Sequence, residues 1–182
     1  IGVLFLGTQL GSRRLQDCVR DLLAATRQSA LGLADWQGLA ADLDAATRSV
    51  SAWVRALRGP GRWRWDAGAP QGLSDTDGSR VVDGLAPPLQ ALIGVLALAG
   101  EQTPELDRLG ERCVDLLALA QRLSQAHEGA SVRWLECSAS EWRLMDSPHD
   151  IASALRSRLM GLPDGDGPVL QQAEAAAPRA WI

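Results

Sequence analysis

Apolar residues recur at alternating intervals of three and four positions through most of residues 1–129. In residues 35–58 the series is Trp36, Leu39, Leu43, Ala46, Val50, Trp53 and Leu57. This period places the apolar side chains on one stripe of a helix, and it is typical of long helices packed side by side. Similar spacing predicts helices that begin near Ser12, at about Pro87 and after Thr103. The sequence therefore predicts a mainly α fold with an antiparallel bundle of about four long helices.

Residues that cap or break helices set the expected ends of these helices. Ser12 can cap the first helix, and Gly59-Pro60-Gly61 ends the second. Thr103-Pro104-Glu105 combines a capping hydroxyl, a proline in the first turn and an acid near the positive end of the helix dipole. These signals predict a fourth helix that continues to about His127.

The stretch from residue 59 to 79 is rich in Gly, Pro, Asp and Ser, which predicts a loop. Arg62 to Trp65 is a candidate for a short extended piece within it, which would place its arginines on one face and its tryptophans on the other. Helical spacing resumes at Ser79, and Pro87-Pro88 predicts a break or a kink before the third helix.

The pattern changes at about residue 130, where Val132, Trp134 and Glu136 alternate with Arg133 and Leu135. Residues 131–137 and 141–146 are separated by small residues, which predicts a β-hairpin. Ser147-Pro148 then opens a helix to about residue 160, and a strand is expected at 179–182. We therefore predict two parts: a helical domain over 1–129, and a hairpin, helix and strand end over 130–182.

Composition excludes several classes of protein. All 18 basic residues are arginine, so the chain has no Walker A lysine and no Schiff-base lysine. No G-x-S-x-G elbow or H-E-x-x-H motif is present, and catalysis within this chain has no support. Ile1 and Ile182 are apolar ends, so we expect a piece of a longer protein.

Three widely separated cysteines argue against a disulfide framework and for a reducing compartment. They also lack the spacing of a zinc ribbon or an iron–sulfur cluster, so we expect no metal in this chain. The longest apolar run, 91–99, is about half of a membrane span. We expect a cytoplasmic protein with no membrane partner.

One cluster has the chemistry of nucleic-acid binding. Residues 48–65 contain five arginines and no acid, although the net charge of the chain is −4. Arginine binds phosphate through two nitrogens, and tryptophan offers a surface on which an unpaired base stacks. The candidate DNA-binding residues are Arg55, Arg58, Arg62, Trp63, Arg64 and Trp65. The alternative is that Trp63 and Trp65 cover the helical core while the arginines are solvated.

Both ends of the chain resemble DinG/YoaA-type helicases, which are XPD-like members of superfamily two. VRWLEC, EWRL, SPHDIASALRSRLM and RAWI are similar to the stretch before motif III of that family. Trp134 and Glu136 match its W-x-E strand, and Ser147, Pro148, Asp150 and Ile151 match a Ser/Thr-Pro-x-Asp-Ile/Val helix start. FLGTQLGSRRLQDCVRDL resembles the segment that follows the DEAH box.

The resemblance implies that the intact parent is an ATP-dependent 5′→3′ DNA helicase with Mg and a 4Fe-4S cluster. This chain would be the insertion between motifs II and III of the first motor domain, and residues 130–182 would belong to that motor domain itself. Its helices would form an Arch domain that frames or contacts translocating single-stranded DNA beside the remaining helicase domains. No catalytic residue of the family is carried over. The alternative is a helical protein–protein interaction module without DNA binding.

Overall fold

The structure of the chain is a computed structural model, and it describes residues 8–29, 32, 34–57, 59–65, 70, 75–100, 103–125 and 131–148. Helices predominate, and four strands form a small antiparallel sheet. In chain order the elements are β1 (Thr8–Gly11), α1 (Ser12–Ser29), α2 (Trp36–Val54), β2 (Gly61–Trp65), α3 (Asp75–Asp83), α4 (Ala86–Gly100), α5 (Pro104–Ser124), β3 (Ser131–Cys137) and β4 (Trp142–Pro148).

The sheet has the strand order β1-β4-β3-β2, and each neighbouring pair is antiparallel. The predicted hairpin is confirmed as β3 and β4, and it occupies the centre of the sheet. Trp134 lies opposite Met145, and Cys137 lies opposite Trp142. The outer strands β1 and β2 come from the earlier, mainly helical part of the chain.

Alternation along the strands gives the sheet one inner face, which packs against the helices. Leu10, Leu135 and Leu144 are fully buried there, and Trp65 and Trp142 are almost so. Because side chains alternate between faces, the neighbours of these residues point to the other side of the sheet. The inner face is thus part of a single hydrophobic core shared with the helices.

The predicted helical stripes supply the rest of that core. Leu15 and Leu22 of α1, Leu43 and Val50 of α2, and Leu116 of α5 are buried, as the three- and four-residue spacing requires. α4 and α5 pack together along their length, and α1 also contacts α2 and α5. The amphipathic pattern therefore predicted the buried side of each of these helices.

The helix starts are held in different ways. Asp35 caps α2, and its carboxylate accepts a hydrogen bond from the N–H of Gly38 at 2.9 Å. Thr103 precedes α5 but makes no side-chain capping bond. The Ser12 hydroxyl accepts a hydrogen bond from the backbone N–H of Trp142 at 3.2 Å, which links the start of α1 to β4. Sequence reasoning had assigned Ser12 to capping its own helix.

The predicted loop over 59–79 contains more structure than expected. Arg62–Trp65 is extended as predicted, within β2, and α3 begins at Asp75. The expected break falls at Gly84 and Leu85, where α3 ends and α4 begins. Proline is tolerated in the first turn of a helix because the N–H it lacks would have no helical acceptor, so Pro87 and Pro88 fit the first turn of α4.

The compact unit built by these elements runs from Ile1 to Asp150. A boundary at residue 130 divides residues that share one sheet, because β1 and β2 pair with β4 and β3. The two-part division over 1–129 and 130–182 stays a prediction. The expected helix start at Ser147-Pro148 is wrong, because both residues belong to β4, where they pair with Val132 and Ser131. The rest of that helix, to residue 160, and the strand expected at 179–182 lie outside the described residues.

One described segment, Gly78–Ala99, is long and apolar enough to cross a membrane by length and composition. Buried core helices pass the same test, and Leu89, Leu92 and Leu96 of α4 are buried. One third of the apolar window is buried, so α4 contributes one side to the core and leaves the other side exposed.

Candidate nucleic-acid interface

β2 brings the Arg/Trp segment into the sheet. Arg62 lies opposite Glu136 of β3, and Arg64 lies opposite Trp134. Side chains of directly opposed residues share a face of an antiparallel sheet. The arginines of β2 therefore lie on the outer face and Trp63 and Trp65 on the inner face, which confirms the predicted separation of the two residue types.

The inner face uses the tryptophans for packing. Trp65 is 2% exposed, and its ring lies 5.9 Å from that of Trp53 and 5.8 Å from the guanidinium carbon of Arg133. Trp63 is half-buried and packs against the core. A base cannot stack on Trp65 while the core is intact, so we remove Trp65 from the candidate interface. For these two residues the structure agrees with the packing alternative.

A third tryptophan lies on the arginine face. Arg62, Arg64, Val132 and Trp134 line a shallow groove of about 340 Å³. The guanidinium carbon of Arg62 is 5.5 Å from the centre of the Trp134 ring, within the range of a cation–π contact. The groove thus combines two cationic side chains with a half-buried aromatic surface, the two features that single-stranded nucleic acid requires.

An acidic side chain already engages this groove. Glu136 accepts hydrogen bonds from Arg62 and from the indole nitrogen of Trp134, the latter at 3.1 Å. The Trp134 bond, and then Arg62, hold the pKa of Glu136 below its usual range despite partial burial. Arg143, opposite Glu136 on β4, adds a further positive charge to the same face. The carboxylate therefore competes for Arg62 with any phosphate that binds here.

The remaining predicted residues are not part of this groove. Arg55 is exposed at the end of α2 and is absent from the groove lining. Arg58 lies outside the described residues. Of the six residues proposed from sequence, the structure brings Arg62 and Arg64 together on the outer face.

Sequence reasoning missed Trp134. The alternation of residues 131–137 places Trp134 and Glu136 on the face opposite Arg133 and Leu135. That signal was present in the sequence. It does not reveal the pairing with β2, which is what puts Trp134 beside the arginines.

No metal or cofactor is placed by the described residues. Within these ranges, no group of three or more His, Cys, Asp or Glu side chains converges. The sulfur atoms of Cys18 and Cys113 are 3.6 Å apart in the core, and the Cys137 thiol donates to the carbonyl of Gly59 in a different region. These three thiols therefore do not converge on one site.

Comparison of the chain with protein-family models, curated proteins and solved structures gave no match. The resemblance to helicases therefore depends on the sequence motifs quoted above. The geometry of the outer sheet face is an independent observation.

Proposed function

We propose that this chain is the Arch-like fragment of a cytoplasmic, ATP-dependent 5′→3′ DNA helicase of the DinG/YoaA type. Its helices would form the bundle that frames translocating single-stranded DNA beside the remaining helicase domains. ATP, Mg and the 4Fe-4S cluster would be bound by those other domains. The chain itself would contribute contacts to DNA and no catalytic group.

The outer face of the sheet carries this proposal. Arg62 and Arg64 follow each other on one side of β2, so their Cα atoms are about 6.7 Å apart along the strand. Both can donate paired hydrogen bonds to backbone phosphates. Stacking of a base on an aromatic side chain contributes about 1–3 kcal/mol, and Trp134 provides such a side chain between the arginines and β4.

The affinity for DNA should be modest and should depend on salt. Each phosphate that is neutralised contributes about 0.7 to the slope of log K against log salt for a single strand. Two arginines therefore account for a slope of about 1.4, and Arg143 adds a smaller share. We expect this behaviour for an oligothymidine measured by fluorescence anisotropy over a salt series.

Two variants separate the electrostatic and stacking contributions. The double substitution of Arg62 and Arg64 by Ala should lower affinity and reduce the salt slope by about 1.4. Trp134→Ala should lower affinity by about fivefold to a hundredfold and leave the slope unchanged. Arg48→Ala is the matched control, because Arg48 is an exposed arginine on α2 that pairs with Asp44. Binding that responds equally to all three changes would contradict the proposed groove.

Glu136→Gln tests the competition within the groove. This change keeps the shape of the side chain and removes the charge that holds Arg62. We expect tighter binding of oligothymidine, because Arg62 no longer has to leave the Glu136 carboxylate to bind phosphate. Weaker binding in a folded Glu136→Gln protein would mean that Glu136 positions the groove residues for DNA, contrary to this account.

The same binding assay distinguishes the proposed DNA contact from the alternative function. A folded chain that does not bind oligothymidine at low salt favours the helical protein–protein interaction module. The family itself is tested by the rest of the parent sequence. A Walker A motif, four closely grouped cysteines and a DEAH box upstream, with Ser-Ala-Thr downstream, are expected of a DinG/YoaA-type parent.

A further inference from the structure

The exposed side of α4 contains no charged residue. The helix over Ala86–Gly100 has no Asp, Glu or Arg. Its exposed residues are Pro87, Gln90, Ala91, Gly94, Ala97 and Leu98, of which Gln90 is polar and lies near the start of the helix. Leu98 is 75% exposed, which is high for a leucine at the end of a core helix. Single exposed apolar residues are ordinary, but a continuous apolar strip is typical of an interaction surface.

This strip continues into a groove between α4 and α5. The groove has a volume of about 530 Å³, and its apolar walls are Ile93, Leu96, Ala97 and Val114. Gly110 opens its floor, since a Cβ there would only just reach the side chain of Leu96, at 3.7 Å. Val114 is 50% exposed. Ile93, Ala97 and Val114 thus present aliphatic surface to water in the groove, while Leu96 is buried beneath them.

A row of acids forms one rim of the groove. Asp107, Glu111 and Asp115 follow one another at four-residue intervals on α5, and all three are exposed. Their spacing along the helix axis is about 6 Å, so the row extends for about 12 Å. Within the described ranges, these three carboxylates form none of the ion pairs found on the surface. The rim is therefore a negative edge beside an apolar floor.

We infer that the α4–α5 groove docks an amphipathic helix of a partner protein that has aliphatic residues on one side and arginines or lysines beside them. Arginines at every fourth position of such a helix repeat at about 6 Å, which is the interval of the acidic row. A helix also satisfies its own backbone hydrogen bonds. An extended peptide would leave backbone N–H and C=O groups unpaired, because the groove is walled by helices and offers no strand edge. The inference is independent of the proposed DNA contact.

Charge disfavours the other occupants. A second copy of this groove would bring its own acidic row against Asp107, Glu111 and Asp115, and like charges facing each other oppose association. An anionic membrane surface would be repelled for the same reason. Among the ligands that could bind an apolar groove, the acidic rim therefore favours a partner helix with basic residues.

The probe for this inference is a fluorescein-labelled synthetic helix of about five turns, with leucines on one side and flanking arginines four residues apart. Its affinity for the full chain is measured by anisotropy. Val114→Ser should weaken binding about tenfold. Glu111→Lys should weaken it about tenfold at low salt and less at high salt. Asp42→Lys, an exposed acid on α2, is the matched control and should have no effect.

Both groove substitutions replace exposed side chains, so the thermal unfolding midpoint should confirm that each variant is folded. The inference would be overturned if the peptide bound all variants equally, or if a peptide with glutamates in place of the arginines bound as well. It would also be overturned if no binding were seen at about 1 mM peptide. Dimerisation that Val114→Ser abolishes would assign the groove to a second copy. Binding to vesicles that Val114→Ser abolishes would assign it to a membrane. Either result would also overturn it.

Discussion

Replacing Arg133 by Ala should destabilise the fold more than replacing any of the exposed arginines of the sheet. Arg133 projects from β3 into the interior and is 4% exposed. Its Nη1 donates to the carbonyls of Leu123 and Gln125 at 3.1 and 3.0 Å, and its Nη2 donates to that of Arg122 at 3.2 Å. Asp146 of β4 lies 3.4 Å from Nη2. One side chain thus holds the end of α5 against the sheet.

The size of the effect follows from burial. Each hydrogen bond to a charged group contributes about 1.5–3 kcal/mol, but bonds from one guanidinium are not additive. Removing one member of a buried ion pair costs about 3–5 kcal/mol when the other charge is left unpaired. Asp146 keeps its ion pair with Arg122, but the three carbonyls lose their charged donor in the same step. We expect Arg133→Ala to lower the free energy of unfolding by about 3–5 kcal/mol. This is a large share of the total free energy of unfolding of a typical protein, which is roughly 5–15 kcal/mol.

Urea denaturation followed by far-UV circular dichroism measures this change. The matched control is Arg62→Ala, which removes an ion pair with Glu136 on the outer face of the same sheet. The Arg62 side chain is 70% exposed, and exposed pairs contribute about 0–1 kcal/mol. A loss below about 1 kcal/mol for Arg133→Ala, or one equal to that of Arg62→Ala, would refute the reasoning from burial.

The partner of Arg133 adds a pH dependence. Burial by itself would raise the pKa of Asp146, but the Ser131 hydrogen bond and the charges of Arg133 and Arg122 outweigh it and hold the pKa below its usual range. A carboxyl whose pKa is lower in the folded state stabilises the fold above its unfolded pKa of about 3.9. This stability is lost as the pH falls through the folded pKa.

Asp146→Asn should therefore destabilise the protein most at neutral pH. The difference in free energy of unfolding between the wild type and this variant should shrink as the pH falls below about 4. Urea denaturation at a series of pH values measures it. A difference that stays constant into acid would show that the Asp146 charge does not stabilise the fold.

Three further predictions concern the helices and the thiols. Gly94→Ala should raise the free energy of unfolding by about 0.5–1 kcal/mol in urea denaturation, because a Cβ there meets no atom within 4 Å and alanine favours a helix. Leu116→Ala should lower it by about 2–5 kcal/mol, since the side chain is fully buried in the α5 interface. A thiol reagent should label Cys137 rapidly, and should label Cys18 and Cys113 only after denaturation, because these two side chains are buried. The hydrogen bond to Cys18, together with burial, also raises the pKa of Cys113, which makes its thiol less reactive.

The sequence by itself determined where most of the helices lie and which sides they bury. Amphipathic periodicity is a local property, so the stripe around Leu43 and Val50 identifies the inner side of α2 without knowledge of its neighbours. The hairpin of β3 and β4 was also readable, because its strands are separated by a short turn. Alternation at 62–65 likewise predicted arginines on one face and tryptophans on the other.

Only the tertiary structure decided how these parts combine. Arg62 and Glu136 are 74 positions apart, and no local pattern states that their strands pair. Alternation shows that a strand has two faces, but the packing partner decides which face is buried. β2 turns its tryptophans toward the helices, so Trp65 becomes part of the core. Its pairing with β3 then places Trp134, which the sequence had assigned only to a scaffold strand, beside the two arginines at the surface.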